Sequence, residues 1–229
     1  MRAAIVTGGT GALGQAIVQR LLLDGAMVTA PYIVDAERDR LLAAILPRDR
    51  DRVTLERADV TDERMMTALV GSVVKRHGGV HILVTAVGGF AGGGLVDTDL
   101  QTWERMLTLN LTSVFVATRA AVPAMIAGRH GRIVVIASRA VVPPAGGFIA
   151  YTAAKAGAVA FTQALAAEVK GAGITANAVL PSTMDTPANR AAMPDADPTT
   201  WVPVDAVADA VAYLASDAAG HVTGTLLAI

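Results

Sequence analysis

Short apolar runs alternate along the chain with longer stretches in which apolar residues recur every three or four positions. The short runs are rich in β-branched residues and most are apolar throughout, the pattern of strands covered on both faces. They fall at Ala3–Thr7, Met27–Ala30, Val53–Arg57, Ile82–Ala86, Arg132–Ala137, Thr175–Leu180 and Thr225–Ala228. Between them the spacing predicts helices at Ala12–Asp24, Asp35–Leu46, Asp62–His77, Gln101–Gly128, Tyr151–Lys170 and Val204–Ser216. Asp35 and Thr61 have the residue type and position of N-caps. Strand–helix alternation of this kind builds a parallel sheet. The predicted fold is therefore α/β: a doubly wound (Rossmann) parallel sheet of seven strands with helices on both faces.

No linker, repeat or low-complexity tract divides the chain, so the expectation is one domain over residues 1–229. Two stretches escape the pattern. Gly88–Gly94 is glycine-rich. Pro181–Pro203 is rich in proline and poor in strand periodicity, and it follows a strand C-terminus, where open α/β sheets bind ligands. Residues 181–203 are read as a substrate lid, the alternative being a surface loop.

Composition narrows the function classes. The chain is 53% hydrophobic and 17% charged, so it can bury a large core. A net charge of -1 and the lack of a basic stripe argue against a nucleic-acid partner. No segment is read as a membrane span of roughly 18 apolar residues, and no membrane partner is expected. The opening MRAAIVTGG runs into a glycine loop, so it is read as a first strand rather than a leader. With no cysteine there is no disulfide, thiolate zinc site or cysteine nucleophile. That fits a reducing compartment, and a cytoplasmic location is expected. The four histidines are scattered without ligand spacing, so no metal site is expected.

The candidate chemistry centres on Tyr151 and Lys155, four residues apart in YTAAK, hence on one helix face. A free phenol has a pKa of about 10, and a nearby cation pulls it down by about 1–3 units. That makes the tyrosine a usable general acid or base. Ser138 closes a strand-like run upstream and could orient a carbonyl or alcohol toward it. At the other end of the chain, TGGTGALG follows the first strand and opens the first helix. Glycines there permit a tight turn and close approach to a pyrophosphate, with the helix N-terminus facing it.

These residues, with Asp59-Val60, Ala86-Val87-Gly88 and Asn110 between them, occur in an order that resembles the short-chain dehydrogenase/reductase family over essentially the whole chain. The resemblance implies an NAD(P)-dependent oxidoreductase that moves a hydride between nicotinamide and a small carbonyl or alcohol. It implies Tyr151 as proton donor, Lys155 as the cation that lowers its pKa and holds the nicotinamide ribose, and Ser138 on the substrate oxygen. Asn110 would hold a relay water. Gly8, Thr10, Gly11, Leu13 and Gly14 would line the cofactor loop. Asp59 and Val60 would flank the adenine, with a helix cap as the alternative for Asp59. Ala86 and Gly88 would lie along the cofactor, and Pro181 and Thr186 near the nicotinamide. The alternative for Thr186 is an ordinary loop hydroxyl. A homodimer or homotetramer through the helices starting at Gln101 and Tyr151 is also implied. Three positions depart from the family pattern: Thr85 for asparagine, Ser182 for glycine, and an end at Leu226–Ile229 without the common glycine tail.

Residues Met184–Asp197 and the loop Val87–Gly93 also resemble dihydropteridine reductases, which act on quinonoid dihydropterins. Phe90 would then stack on a flat ring, or else anchor the loop in the core. The other alternative is a catalytically silent dinucleotide sensor. For the cofactor, NAD(H) or NADP(H), the deciding position at the end of the second strand is Tyr32, which carries no charge. Asp35 lies too late, Pro31 is expected to end the strand, and Arg38 and Arg40 reach in only if their helix turns that way. The lean is toward NAD.

Overall fold

A computed structural model describes residues 1–229. The main strands are β1 (Ala3–Thr7), β2 (Met27–Tyr32), β3 (Val53–Arg57), β4 (Ile82–Thr85), β5 (Gly131–Ile136) and β6 (Ile174–Leu180). Short strands follow: β7 (Met184–Asp185), β8 (Val202–Pro203) and β9 (Leu226–Ala228). The helices are α1 (Ala12–Leu23), α2 (Asp35–Ala44), α3 (Glu63–His77), α4 (Leu100–Leu107), α5 (Ser113–Gly128), α6 (Ile149–Val169), α7 (Pro187–Ala192) and α8 (Val204–Leu214). Seven strands form one sheet in the order β3-β2-β1-β4-β5-β6-β9, and every pairing in it is parallel.

The apolar strands serve two cores, one on each face. Ala3 and Ile5 of β1 join a cluster with Met66 and Leu69 of α3, Ala117 and Ala121 of α5, and Ala158 of α6. Ala4 and Val6 face the opposite cluster, with Ile17 and Leu21 of α1, Leu41 of α2 and Val207 and Val211 of α8. Alternation along one strand therefore supplies both layers, which is why the central runs are mostly apolar on both faces.

Several sequence expectations shift. Pro31 does not end β2, which continues to Tyr32. At Pro31 the strand pairs only with β3, since the β1 register stops at Thr29, so the missing N–H breaks no ladder on the β1 side. Asp62, not Thr61, caps α3, its carboxylate accepting from the Arg64 and Met65 amides. The cap of α2 is Val34, and Asp35 is already helical, paired with Arg38 at 3.0 Å and Arg57 at 3.2 Å. The predicted helix Gln101–Gly128 is two helices joined by a π-turn over Thr108–Thr112. This Leu100–Gly128 run contains a window long and apolar enough to cross a membrane by length and composition, contrary to the expectation. In the fold α5 supplies Val114, Ala117, Ala121 and Met125 to the core, which accounts for its apolarity. Residues 181–203 are not bare loop either: β7 pairs with β8, and α7 lies between them.

Candidate active site

β1 neighbours β2 on one side and β4 on the other, so the chain reverses its winding there and the C-terminal strand ends open into a crevice. The glycine loop lies at that point. Gly8 takes φ +69, and a Cβ on it would lie 2.7 Å from the Ala86 carbonyl and the Val87 nitrogen. A Cβ on Gly14 would fall on the Gly8 carbonyl, so helix α1 packs against its own entry loop only because Gly14 has none. The loop is further pinned by Gln15 donating to the Thr10 carbonyl at 2.8 Å and by Thr10 Oγ1 donating to Glu37 at 3.1 Å. Leu13 turns its side chain into the core.

The N-terminus of α1 has no side-chain cap and no acid in its first turn, with Gly11 and Ala12 exposed. Its first amides and positive dipole end are therefore free for an anion. This fits the pyrophosphate of a dinucleotide. Ala86 continues the floor beside the loop, its amide donating to the Thr7 carbonyl at 3.1 Å.

On the other side of the crevice, Ser138 lies just beyond β5 and is 9% exposed. Its hydroxyl accepts from the Ala140 amide at 3.2 Å. Tyr151 and Lys155 stand one turn apart on α6. Lys155 is buried, and its Nζ donates to the Ile136 carbonyl at 2.7 Å, tying α6 to the end of the strand that carries Ser138. Asn110 is fully buried in the π-turn. Its Nδ2 donates to the Gly89 and Met106 carbonyls, both at 3.0 Å, and its Oδ1 accepts from the Gly89 amide at 3.2 Å. The widened turn lets a helical side chain reach the loop after β4. Gly88 sits between these groups: a Cβ there would lie 2.8 Å from Asn110 Oδ1 and 3.4 Å from Lys155 Nζ. Ser138, Tyr151, Lys155, Asn110 and Gly88 thus belong to one constellation.

Its electrostatics differ from the sequence-based expectation. Burial holds the Tyr151 phenol above its ordinary pKa, and the Ser138 hydroxyl only partly opposes this. Lys155 contributes no lowering. Its own pKa is depressed by burial to about 8. Desolvation therefore dominates at both groups.

The other expected cofactor residues are more dispersed. Asp59 is exposed and does not cap α3; its Oδ1 accepts from the Thr61 amide (2.8 Å) and hydroxyl (2.7 Å). Val60 is buried beside it. Pro181 is buried, its carbonyl accepting from the Arg139 amide at 3.0 Å. Thr186 is buried and caps α7 through the Asn189 amide at 3.2 Å. At the adenosine end, Arg38 has turned onto Tyr32: its guanidinium lies 5.4 Å from the ring centroid and donates to the hydroxyl at 3.3 Å.

Sequence reasoning missed Glu37, which reaches the glycine loop from α2, and Phe148, three residues before Tyr151. Phe90 does not anchor the loop in the core; it is 65% exposed. Spacing offers no signal for Glu37, but an aromatic preceding the YTAAK tyrosine by less than one turn is legible in the sequence.

A glycine loop at a topological switch point, opposite a serine, tyrosine and lysine, defines a dinucleotide-dependent oxidoreductase of the doubly wound class. Residues 2–197 match the short chain dehydrogenase family model, and the chain belongs to that family. It is 35% identical to nodulation protein G of Azospirillum brasilense, covering 99% of this chain and 95% of that protein. It is 33% identical to the 3-oxoacyl-(acyl-carrier-protein) reductase FabG of Escherichia coli strain K12, covering 98% and 93%. Among solved structures, that of levodione reductase superposes with a TM-score of 0.92 at 26% identity, covering 100% of this chain and 95% of that one. The protein is thus an enzyme of the short-chain dehydrogenase/reductase class with a nicotinamide dinucleotide as cofactor.

Proposed function

We propose that the enzyme reduces a small carbonyl, or oxidises the corresponding alcohol, with Tyr151 exchanging the proton, over a single unit of residues 1–229 closed by a flap at 181–203. The observation that carries this is Lys155, buried and bonded to Ile136 between Tyr151 and the end of β5 that presents Ser138. When bound, the dinucleotide supplies or accepts the hydride. Ser138 donates to the substrate oxygen and fixes the carbonyl. Tyr151 gives its proton to that oxygen as negative charge develops there. Lys155, a cation below its pKa of about 8, would hold the nicotinamide ribose one turn from the phenol. Asn110 holds the loop after β4 through Gly89 and keeps a polar group beside Gly88 and Lys155, where it would hold a relay water. Gly8, Thr10, Gly11, Leu13 and Gly14 cradle the pyrophosphate, with Asp59 and Val60 near the adenine and Pro181 and Thr186 near the nicotinamide.

The lean toward NAD gains an acid that the sequence did not place. Glu37 stands against Thr10 of the glycine loop, where a carboxylate favours ribose hydroxyls and repels a 2′-phosphate. Arg38 on Tyr32 acts in the opposite direction. Initial rates with NADH and NADPH against a panel of ketones, with a quinonoid dihydropterin beside them, test the function and the cofactor together. NADH is expected to be preferred, and Glu37→Gln is expected to shift the preference toward NADPH. A large NADPH preference in the unmodified enzyme would overturn the NAD assignment, and inertness toward every ketone would overturn the function. The pterin alternative retains one observation in its favour, the exposed ring of Phe90 beside Tyr151.

A homo-oligomer is proposed through α5 and α6, where Phe115 is 45% exposed and meets Phe161 edge-on at 6.4 Å. Light scattering that shows a monomer at working concentration would refute it.

A further inference from the structure

The loop after β4 and the segment entering α6 are zipped together by backbone. The Gly93 amide donates to the Gly147 carbonyl at 2.8 Å, and the Ile149 amide donates to the Gly93 carbonyl at 3.1 Å. Gly93 and Gly147 both take positive φ, +131 and +86, so the pairing depends on glycine at both positions. It brings Phe90 and Phe148 together, ring centroids 5.6 Å apart, and sets them 5.1 and 6.2 Å from the Tyr151 ring. These contacts are tilted or edge-on, so no neighbouring ring stacks face to face on Phe90. A mostly exposed phenylalanine beside a candidate catalytic phenol is an apolar surface directed at whatever the phenol protonates.

The charges around this surface limit what it takes. In the segments that flank it, residues 86–99, 138–148 and 181–203, the only cations are Arg139 and Arg190. Arg190 is held by both oxygens of Asp185, at 2.6 and 2.8 Å. That leaves Arg139, exposed and without an ion pair, as the one group there able to hold an anionic substrate.

We propose that Phe90 and Phe148 form a platform that selects neutral ketones carrying a flat ring. The ring lies against Phe90 while the carbonyl reaches Tyr151 and Ser138. This specificity rests on Tyr151 being the proton donor, as proposed above. Flat rings gain dispersion and edge contacts on such a platform that an acyclic chain does not.

The test compares kcat/KM for acetophenone, 2-butanone and 4-acetylbenzoate in the unmodified enzyme and in Phe90→Ala, Phe90→Leu and Phe90→Tyr. Binding of acetophenone to the enzyme–dinucleotide complex is measured in parallel by calorimetry. The preference for acetophenone over 2-butanone is expected to fall about tenfold in the alanine variant, less in the leucine variant, and to persist in the tyrosine variant. Acetophenone affinity should fall with it. An unchanged ring preference in Phe90→Ala would overturn the platform, as would a strong preference for 4-acetylbenzoate that Arg139→Ala removes. Binding that weakens in Phe90→Ala without turnover of any ketone would leave the platform standing and overturn the proposed reaction. Turnover with no dependence on Phe90 would do the reverse, and neither turnover nor Phe90-dependent binding would overturn both.

Discussion

Tyr151→Phe is expected to reduce kcat/KM by about 10²–10⁴-fold, the usual contribution of a positioned proton-transfer group. Dinucleotide affinity should stay within about twofold, because the glycine loop and α1 N-terminus that would hold the pyrophosphate lie across the crevice. Burial already holds the phenol protonated at neutral pH, with its pKa above the ordinary value. Phenylalanine keeps the ring against Phe90 and Phe148 and removes only the hydroxyl. A loss in kcat with KM preserved is therefore the expected pattern, read by steady-state kinetics beside a fluorescence titration with the dinucleotide. Near-normal rates in this variant would mean that another group carries the proton.

Lys155→Met is expected to lower turnover at least about 100-fold without lowering stability at pH 7. The reason lies in linkage. Burial depresses the Lys155 pKa from 10.5 to about 8, so at pH 7 the folded protein keeps a cation in a desolvated place. That shift corresponds to a cost of about 3 kcal/mol. Methionine removes the cost but leaves the Ile136 carbonyl without its donor, a loss of about 1–3 kcal/mol. The two nearly cancel or favour the variant. Between about pH 8 and 10.5 the unfolded chain binds more protons than the folded one, so the stability of the unmodified enzyme rises with pH through that window. Any advantage of the variant should therefore shrink as pH is raised from 7 to 10. Thermal unfolding of both proteins across that range checks it. A large loss of Tm at pH 7 with a pH-independent difference would show that Lys155 is a structural tie rather than a strained cation held for chemistry.

The two predictions illustrate where sequence reasoning succeeds and where it stops. Tyr151 and Lys155 were legible as a pair because helix periodicity is local. That desolvation dominates at both groups was not, because their burial comes from α6 packing on β6 and α4 and from the tie to Ile136, all far away in sequence. Asn110 was legible by type and place, but the π-turn that aims it at Gly89 was hidden in an uninterrupted helical pattern. The N-caps were misplaced by one residue: Thr61 and Asp62 both suit a helix start and only the turn geometry selects Asp62, while at α2 the backbone puts Val34, with no side-chain acceptor, where residue type favours Asp35. Pro31 misled for a similar reason: whether a proline breaks a strand depends on which side carries a partner.

The sequence by itself determined the parallel doubly wound sheet, the glycine loop before α1, and the order of Ser138, Tyr151 and Lys155. Each follows from periodicity or spacing within a few residues, where chain geometry leaves little choice. Only the tertiary structure decided that Glu37 meets Thr10, that Arg38 covers Tyr32, and that an exposed Phe90 and a half-buried Phe148 stand beside Tyr151. Those contacts join segments brought together by packing, and their energies depend on burial and on neighbours that no local pattern records.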